Sequence, residues 1–311
     1  MPLIRINARR DIPYLHQSSQ SLWPLLHQAS ATPGPVIVMI HGFQYQPDHP
    51  RNCPHRHILS FEPLAVSRSP VSWPAHLGFG QGASDEGLGV AFGWDASGVL
   101  WQAQRRARQA GRALAQVLAY LHRCCPTKPI HIVAHSMGVE PACAALQHLP
   151  AGSVCRILSL TGACYRSVAQ SALATPAGQT AEFINVTSRE NDLFDFLYER
   201  LITPPLRGDR ALGSGIDACN AVTLQLDCAD TLAHLARIGA SIAPPTRRIC
   251  HWSTYMRPGA LTFYGDLLRH AHRLPLDLLH RAPPQHDVTR RSRHVARPSR
   301  VAPLPFSQKT G

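Results

Sequence analysis

The chain has no apolar run long enough to span a bilayer. Its opening residues, Met1-Pro2-Leu3-Ile4-Arg5-Ile6-Asn7-Ala8-Arg9-Arg10, hold no apolar stretch of the kind a secretory leader requires. These absences argue against a membrane span and give a cytoplasmic protein as the expectation. The nine cysteines are odd in number, scattered and without paired metal-binding spacing, so reduced thiols are expected. Aromatic residues make up 7% of the chain and do not interleave with its basic runs, so no specific nucleic-acid partner is expected despite a formal net charge of +12. Residues 281–311 hold seven of the basic residues against Asp287 alone, a net six charges. Rich in Pro and Ser, that segment reads as a disordered basic tail outside catalysis. Gly78-Phe79-Gly80-Gln81-Gly82 neither follows a strand nor opens a helix, which sets aside a phosphate-binding loop.

What is present is enough for one sizeable core: 311 residues, 44% of them hydrophobic. Near-continuous apolar strands are expected at 36–40, 88–94, 129–135, 154–160, 182–188 and 221–226, with helices over 98–123 and 137–148 and a final amphipathic helix from about Pro258. Strands apolar on both faces imply an α/β fold with a mostly parallel central sheet and helices on both sides. The domain is expected over residues 1–280.

One of these strands, Pro129-Ile130-His131-Ile132-Val133-Ala134-His135, runs directly into Ser136-Met137-Gly138. A serine on a sharp strand-to-helix turn needs small residues two positions before and two after, here Ala134 and Gly138. This reads as a nucleophile elbow. The earlier strand Val36–Ile40 ends in His41-Gly42-Phe43, where a loop can present backbone N–H groups to a developing oxyanion. Phe43 and Met137 are the expected donors, Gly42 lets the backbone come close, and His41 and His135 are expected on the substrate side.

A serine nucleophile needs a base, and the base an orienting group. After the strand 182–188, the loop Arg189-Glu190-Asn191-Asp192 offers Asp192 as the acid, with Glu190 and Asp195 as rivals. Among 18 histidines, His251 is the candidate base: it lies on a loop after the last strand and before the final helix, whereas His131 sits within a strand, and His234, His270, His272 and His280 have helical surroundings. The chain order is then oxyanion loop, Ser136, Asp192, His251.

That order and the motifs Ile40-His41-Gly42-Phe43 and Ala134-His135-Ser136-Met137-Gly138 resemble the α/β-hydrolase superfamily, in particular its lipase/esterase-like serine hydrolases, over about residues 35–275. The segments 54–60, 72–80 and 251–259 also resemble a bacterial subgroup of uncharacterised hydrolases. The resemblance implies an acyl-enzyme on Ser136, a small-molecule ester or thioester substrate, and no cofactor or metal. An acyltransferase using the same triad, or a noncatalytic binding protein on the same scaffold, would carry the same motifs.

Residues 44–87 are too long for an ordinary connection and are expected to form a lid-like insertion over the site, with Trp73, Phe79, His55, His57 and His76 facing the pocket. Cys53, His55 and His57 carry metal-compatible side chains, but no fourth ligand is evident.

Overall fold

The computed structural model describes residues 3–64 and 71–280. Eight strands form one sheet in the order β2-β1-β4-β3-β5-β6-β7-β8. They are β1 (Leu3–Arg9), β2 (Ile12–Leu15), β3 (Val36–Ile40), β4 (Leu88–Gly93), β5 (Ile130–His135), β6 (Arg156–Leu160), β7 (Glu182–Thr187) and β8 (Ala221–Gln225). Only the β1–β2 pair is antiparallel.

The reason β3 is apolar throughout is that neither of its faces meets water. Val36, Val38 and Ile40 point into one hydrophobic core, while Ile37 and Met39 point into the other. The first core is completed by helices Leu22–Ser30, Leu100–Cys124, Val139–Leu146 and Arg166–Leu173; the second by Ala229–Arg237, Ala260–Arg269 and Leu276–His280. Helix Leu100–Cys124 buries Ala103, Ala107, Ala110, Leu114 and Leu121 along one stripe. Its Gly111 packs so tightly on Val139–Leu146 that an added Cβ would lie 2.5 Å from the Ala144 Cβ. The elbow helix is thereby pinned against the sheet.

This is an α/β-hydrolase fold. The N-terminal hairpin β1–β2 and helix Leu22–Ser30 were not expected from the sequence: Leu3–Arg9 is interrupted by Arg5, Asn7 and Arg9 and lacks the continuous apolar run of the inner strands, although Leu3, Ile4, Ile6, Asn7 and Ala8 are buried. The expected helix over 137–148 instead opens with a single tight turn at Ser136–Gly138, and its α-helical part begins at Val139.

The segment expected to cover the site mostly packs into the second core. Trp73 and Phe79 are fully buried there, Trp73 edge-on to Tyr255 and Phe79 beneath the Arg269 guanidinium. His55 is buried with its Nε2 2.7 Å from Asn7 Oδ1, and His76 bonds the Ser72 carbonyl through Nδ1. These four side chains are therefore corrected from pocket lining to scaffold: Trp73 and Phe79 pack in the second core, and His55 and His76 each bond a neighbouring group. The basic segment 281–311 lies outside the described residues.

Among the described residues no helix is long and apolar enough to cross a membrane. All nine cysteines are unbridged. No group of three or more His, Cys, Asp or Glu is placed to hold a metal ion among the described residues. His57 turns away from Cys53 and His55 to bond the Arg51 carbonyl.

Candidate active site

Parallel pairing sets the site. Ile40 on β3 is opposite Ala134 on β5, so the loops leaving both strands emerge side by side at the carboxyl edge of the sheet. Ser136 follows β5 with φ of +54°, a left-handed conformation that L residues adopt only when their surroundings enforce it. Two glycines make room for this turn. A Cβ on Gly138 would stand 2.4 Å from the His41 carbonyl oxygen, and one on Gly42 would stand 2.8 Å from the Ser136 Cβ. Each strand end thus tolerates the other only because both residues lack a side chain.

Ser136 Oγ lies 2.8 Å from His251 Nε2. On the far side of the ring, His251 Nδ1 lies 2.6 Å from Oδ1 of Asn191, and Asn191 Nδ2 donates to Asp195 Oδ1 at 2.9 Å. The direction of this chain follows from its last member. A carboxylate can only accept, so it takes the Asn191 NH₂ and turns Oδ1 toward the imidazole. The imidazole then carries its proton on Nδ1 and offers a bare Nε2 to the serine hydroxyl. The sequence reading of Asp192 as the orienting acid is corrected here: the group at Nδ1 is the amide of the preceding residue, and Asp192 opens helix Asp192–Leu201. Asn191 is not legible in the sequence as the orienting group, because the residue type usual in that role is a carboxylate.

Glu190, another rival, serves to hold the loops together. It forms a buried ion pair with Arg257, whose guanidinium also donates to the Leu226 carbonyl at 2.6 Å and to Ser188 Oγ at 3.2 Å. Cys250 N–H donates to the Glu190 carbonyl at 2.9 Å. The turn carrying Asn191 and the loop carrying His251 are thus tied to each other. The His251 carbonyl is held in turn by His135 Nε2 at 3.1 Å and Thr161 Oγ1 at 3.3 Å, while the Phe194 ring stacks on the imidazole.

A cavity of about 720 Å³ opens above Ser136 and His251. Phe43, Met137 and His135 line it as the sequence reading expects, and so does His57. His41 does not. It is fully buried, stacked on Trp94, with Nδ1 bonded to the Gly42 carbonyl and Nε2 accepting from the Trp94 N–H. It is corrected to a brace for the loop, and Gly42 contributes clearance instead of a substrate contact. The sequence reading also missed most of the wall: Trp101, Phe194, Leu197, Tyr198, Leu201 and Trp252. The leucines form an i, i+4 pattern that reads as a core stripe, and only the fold turns it toward the cavity.

Burial, with a smaller contribution from nearby His135, holds the His251 imidazole well below the ordinary histidine value. It is neutral at pH 7, the state in which Nε2 can accept a proton. Burial likewise lowers His41 and His135 to about 4 and His131 to about 3. Below the unfolded value of 6.5, an unfolded chain binds protons that these folded sites refuse. Stability from this source is therefore complete above pH 6.5 and lost as pH falls toward 4, with a slope of about 4 kcal/mol per pH unit for His41, His131 and His135 together. Urea midpoints should drop steeply between pH 6.5 and 4.5; equal midpoints would contradict the buried neutral histidines.

A family model described as "Alpha/beta hydrolase of unknown function (DUF900)" matches residues 25–177, the part of the chain that holds β3, the loop after it and the turn at Ser136. No curated protein matches the chain.

Proposed function

We infer that the chain is a serine hydrolase of the α/β-hydrolase kind, which cleaves a carboxylic ester or thioester through an acyl-enzyme on Ser136. The observation that carries this reading is the unbroken hydrogen-bonded series Ser136, His251, Asn191, Asp195, whose first two members line a cavity.

In the first half-reaction, Ser136 Oγ bonds to the substrate carbonyl carbon as its proton passes to His251 Nε2. The carbonyl π electrons move onto oxygen, and the backbone N–H groups of Phe43 and Met137 receive that charge. Among the described residues the Phe43 N–H donates to no other group, which leaves it available. Collapse of the intermediate breaks the bond to the leaving oxygen or sulfur, which takes the proton from His251. Water then repeats the sequence on the acyl-enzyme, releasing the acid and restoring the serine hydroxyl. Asn191 keeps the proton on Nδ1 throughout, and Asp195 polarises the Asn191 amide from behind as a positioning residue. No step in this sequence calls on a metal or an organic cofactor.

A fluorophosphonate probe reports an activated serine directly. Purified protein should be labelled, with the adduct mapped by mass spectrometry to the peptide containing Ser136. A folded protein that resists the probe would count against an activated serine.

A further inference from the structure

The cavity over Ser136 is distinctive for what its walls lack. In a chain of net charge +12, none of the described residues that line it is Asp, Glu, Lys or Arg. Large apolar side chains are also exposed there beyond what a solvent face needs. Of the nine large hydrophobic residues exposed among the described residues, Val99, Trp101, Leu197, Leu201 and Trp252 all border this one cavity. Trp101 is 51% and Leu201 52% exposed, so the apolar surface continues from the floor to the mouth. Scattered exposed apolar residues are ordinary, but their convergence on one concave site marks a ligand surface.

The three contributing segments are far apart in sequence. Val99 and Trp101 begin helix Leu100–Cys124, Leu197 and Leu201 lie one turn apart on helix Asp192–Leu201, and Trp252 follows the base itself. Behind Tyr198, the carboxyl of Glu140 is engaged by the Tyr198 hydroxyl at 3.0 Å and by Gln104 at 2.9 Å, so this group stays behind the wall.

Resting on the serine-hydrolase reading, we propose that the substrate is an uncharged ester bearing a long alkyl or comparably large apolar acyl group, which lies between Leu197, Leu201, Trp101 and Trp252. Two consequences separate this from a pocket for small polar esters. Each methylene buried contributes about fourfold in binding. And the carboxylate product finds no cation in the walls to offset its lost hydration, so it leaves readily.

The test uses the full chain and p-nitrophenyl esters from acetate to decanoate. We expect kcat/KM for octanoate to exceed that for acetate by at least about tenfold. In the Leu197→Ser/Leu201→Ser variant that ratio should fall about tenfold; both positions are exposed, so the fold has little at stake. In parallel, Ser136→Ala protein is titrated with methyl octanoate and with sodium octanoate, following tryptophan fluorescence. The ester should bind at least about tenfold more tightly than the anion. Acetate turned over as well as octanoate, or an unchanged ratio in the double variant, would overturn the proposal. Equal binding of ester and anion would overturn it as well. Selective binding of the ester by a protein that neither turns over esters nor labels at Ser136 would leave the apolar pocket standing and overturn the hydrolase reading instead.

Discussion

Ser136→Ala should lower kcat for any ester substrate by about 10⁴-fold or more while leaving the thermal midpoint nearly unchanged. The size of the loss follows from the chemistry: the variant has no atom to carry the acyl group, and His251 loses the hydroxyl 2.8 Å from Nε2. The small effect on folding follows from the packing. The left-handed turn at position 136 is enforced by the strand, by Gly42 and by Gly138, and alanine fills the same space without Oγ. A variant retaining more than a tenth of wild-type turnover would remove Ser136 from the mechanism. Comparing midpoints by differential scanning calorimetry separates lost chemistry from lost structure.

Replacing Asn191 should have the next largest effect. Asn191→Ala removes the acceptor that fixes the proton on His251 Nδ1, and the ring loses its tautomer and its orientation together; a fall of about 10²-fold or more in kcat is expected. Asn191→Asp is a different perturbation. It sets a carboxylate against Asp195 at a separation now 2.9 Å, and two carboxylates that close retain a proton between them. The exchange Asn191→Asp with Asp195→Asn relieves this, because one amide and one carboxylate remain and the charge moves next to the imidazole. The exchanged protein should recover activity relative to Asn191→Asp alone. Its acid limb of kcat should also lie at higher pH than in the wild type, since an adjacent anion favours the imidazolium that burial now disfavours. Activity of Asn191→Ala within threefold of wild type would show that packing against Phe194 and the loop alone orients the ring.

The residues most legible in the sequence were those under the tightest geometric constraint. Ser136 and Gly138 announce themselves because a strained turn admits few residue types at fixed spacing, and His251 because it stands on a loop between the last strand and a helix. Asn191 was hidden by chemistry: an amide can orient a histidine, but nothing in its neighbourhood marks it above Asp192 until the ring is in place. The cavity wall was hidden by topology, since Trp101, Leu197 and Trp252 are brought together only by the sheet order. The histidines at 41 and 55 misled for a related reason. A polar residue in a loop reads as a substrate contact, whereas here the backbone of Trp94 and the side chain of Asn7 engage them within the scaffold.

The Glu190–Arg257 pair has a consequence for how this protein would lose activity. Because the pair is buried, separating it leaves an unpaired charge in the interior, and the segments it joins come apart together or not at all. His251 and Asn191, 60 residues apart in the chain, therefore form one cooperative corner separate from the central strands. Inactivation by mild heat would be reversible for as long as only that corner opens, and the activity remaining at a given temperature would register a local equilibrium while the sheet is still folded.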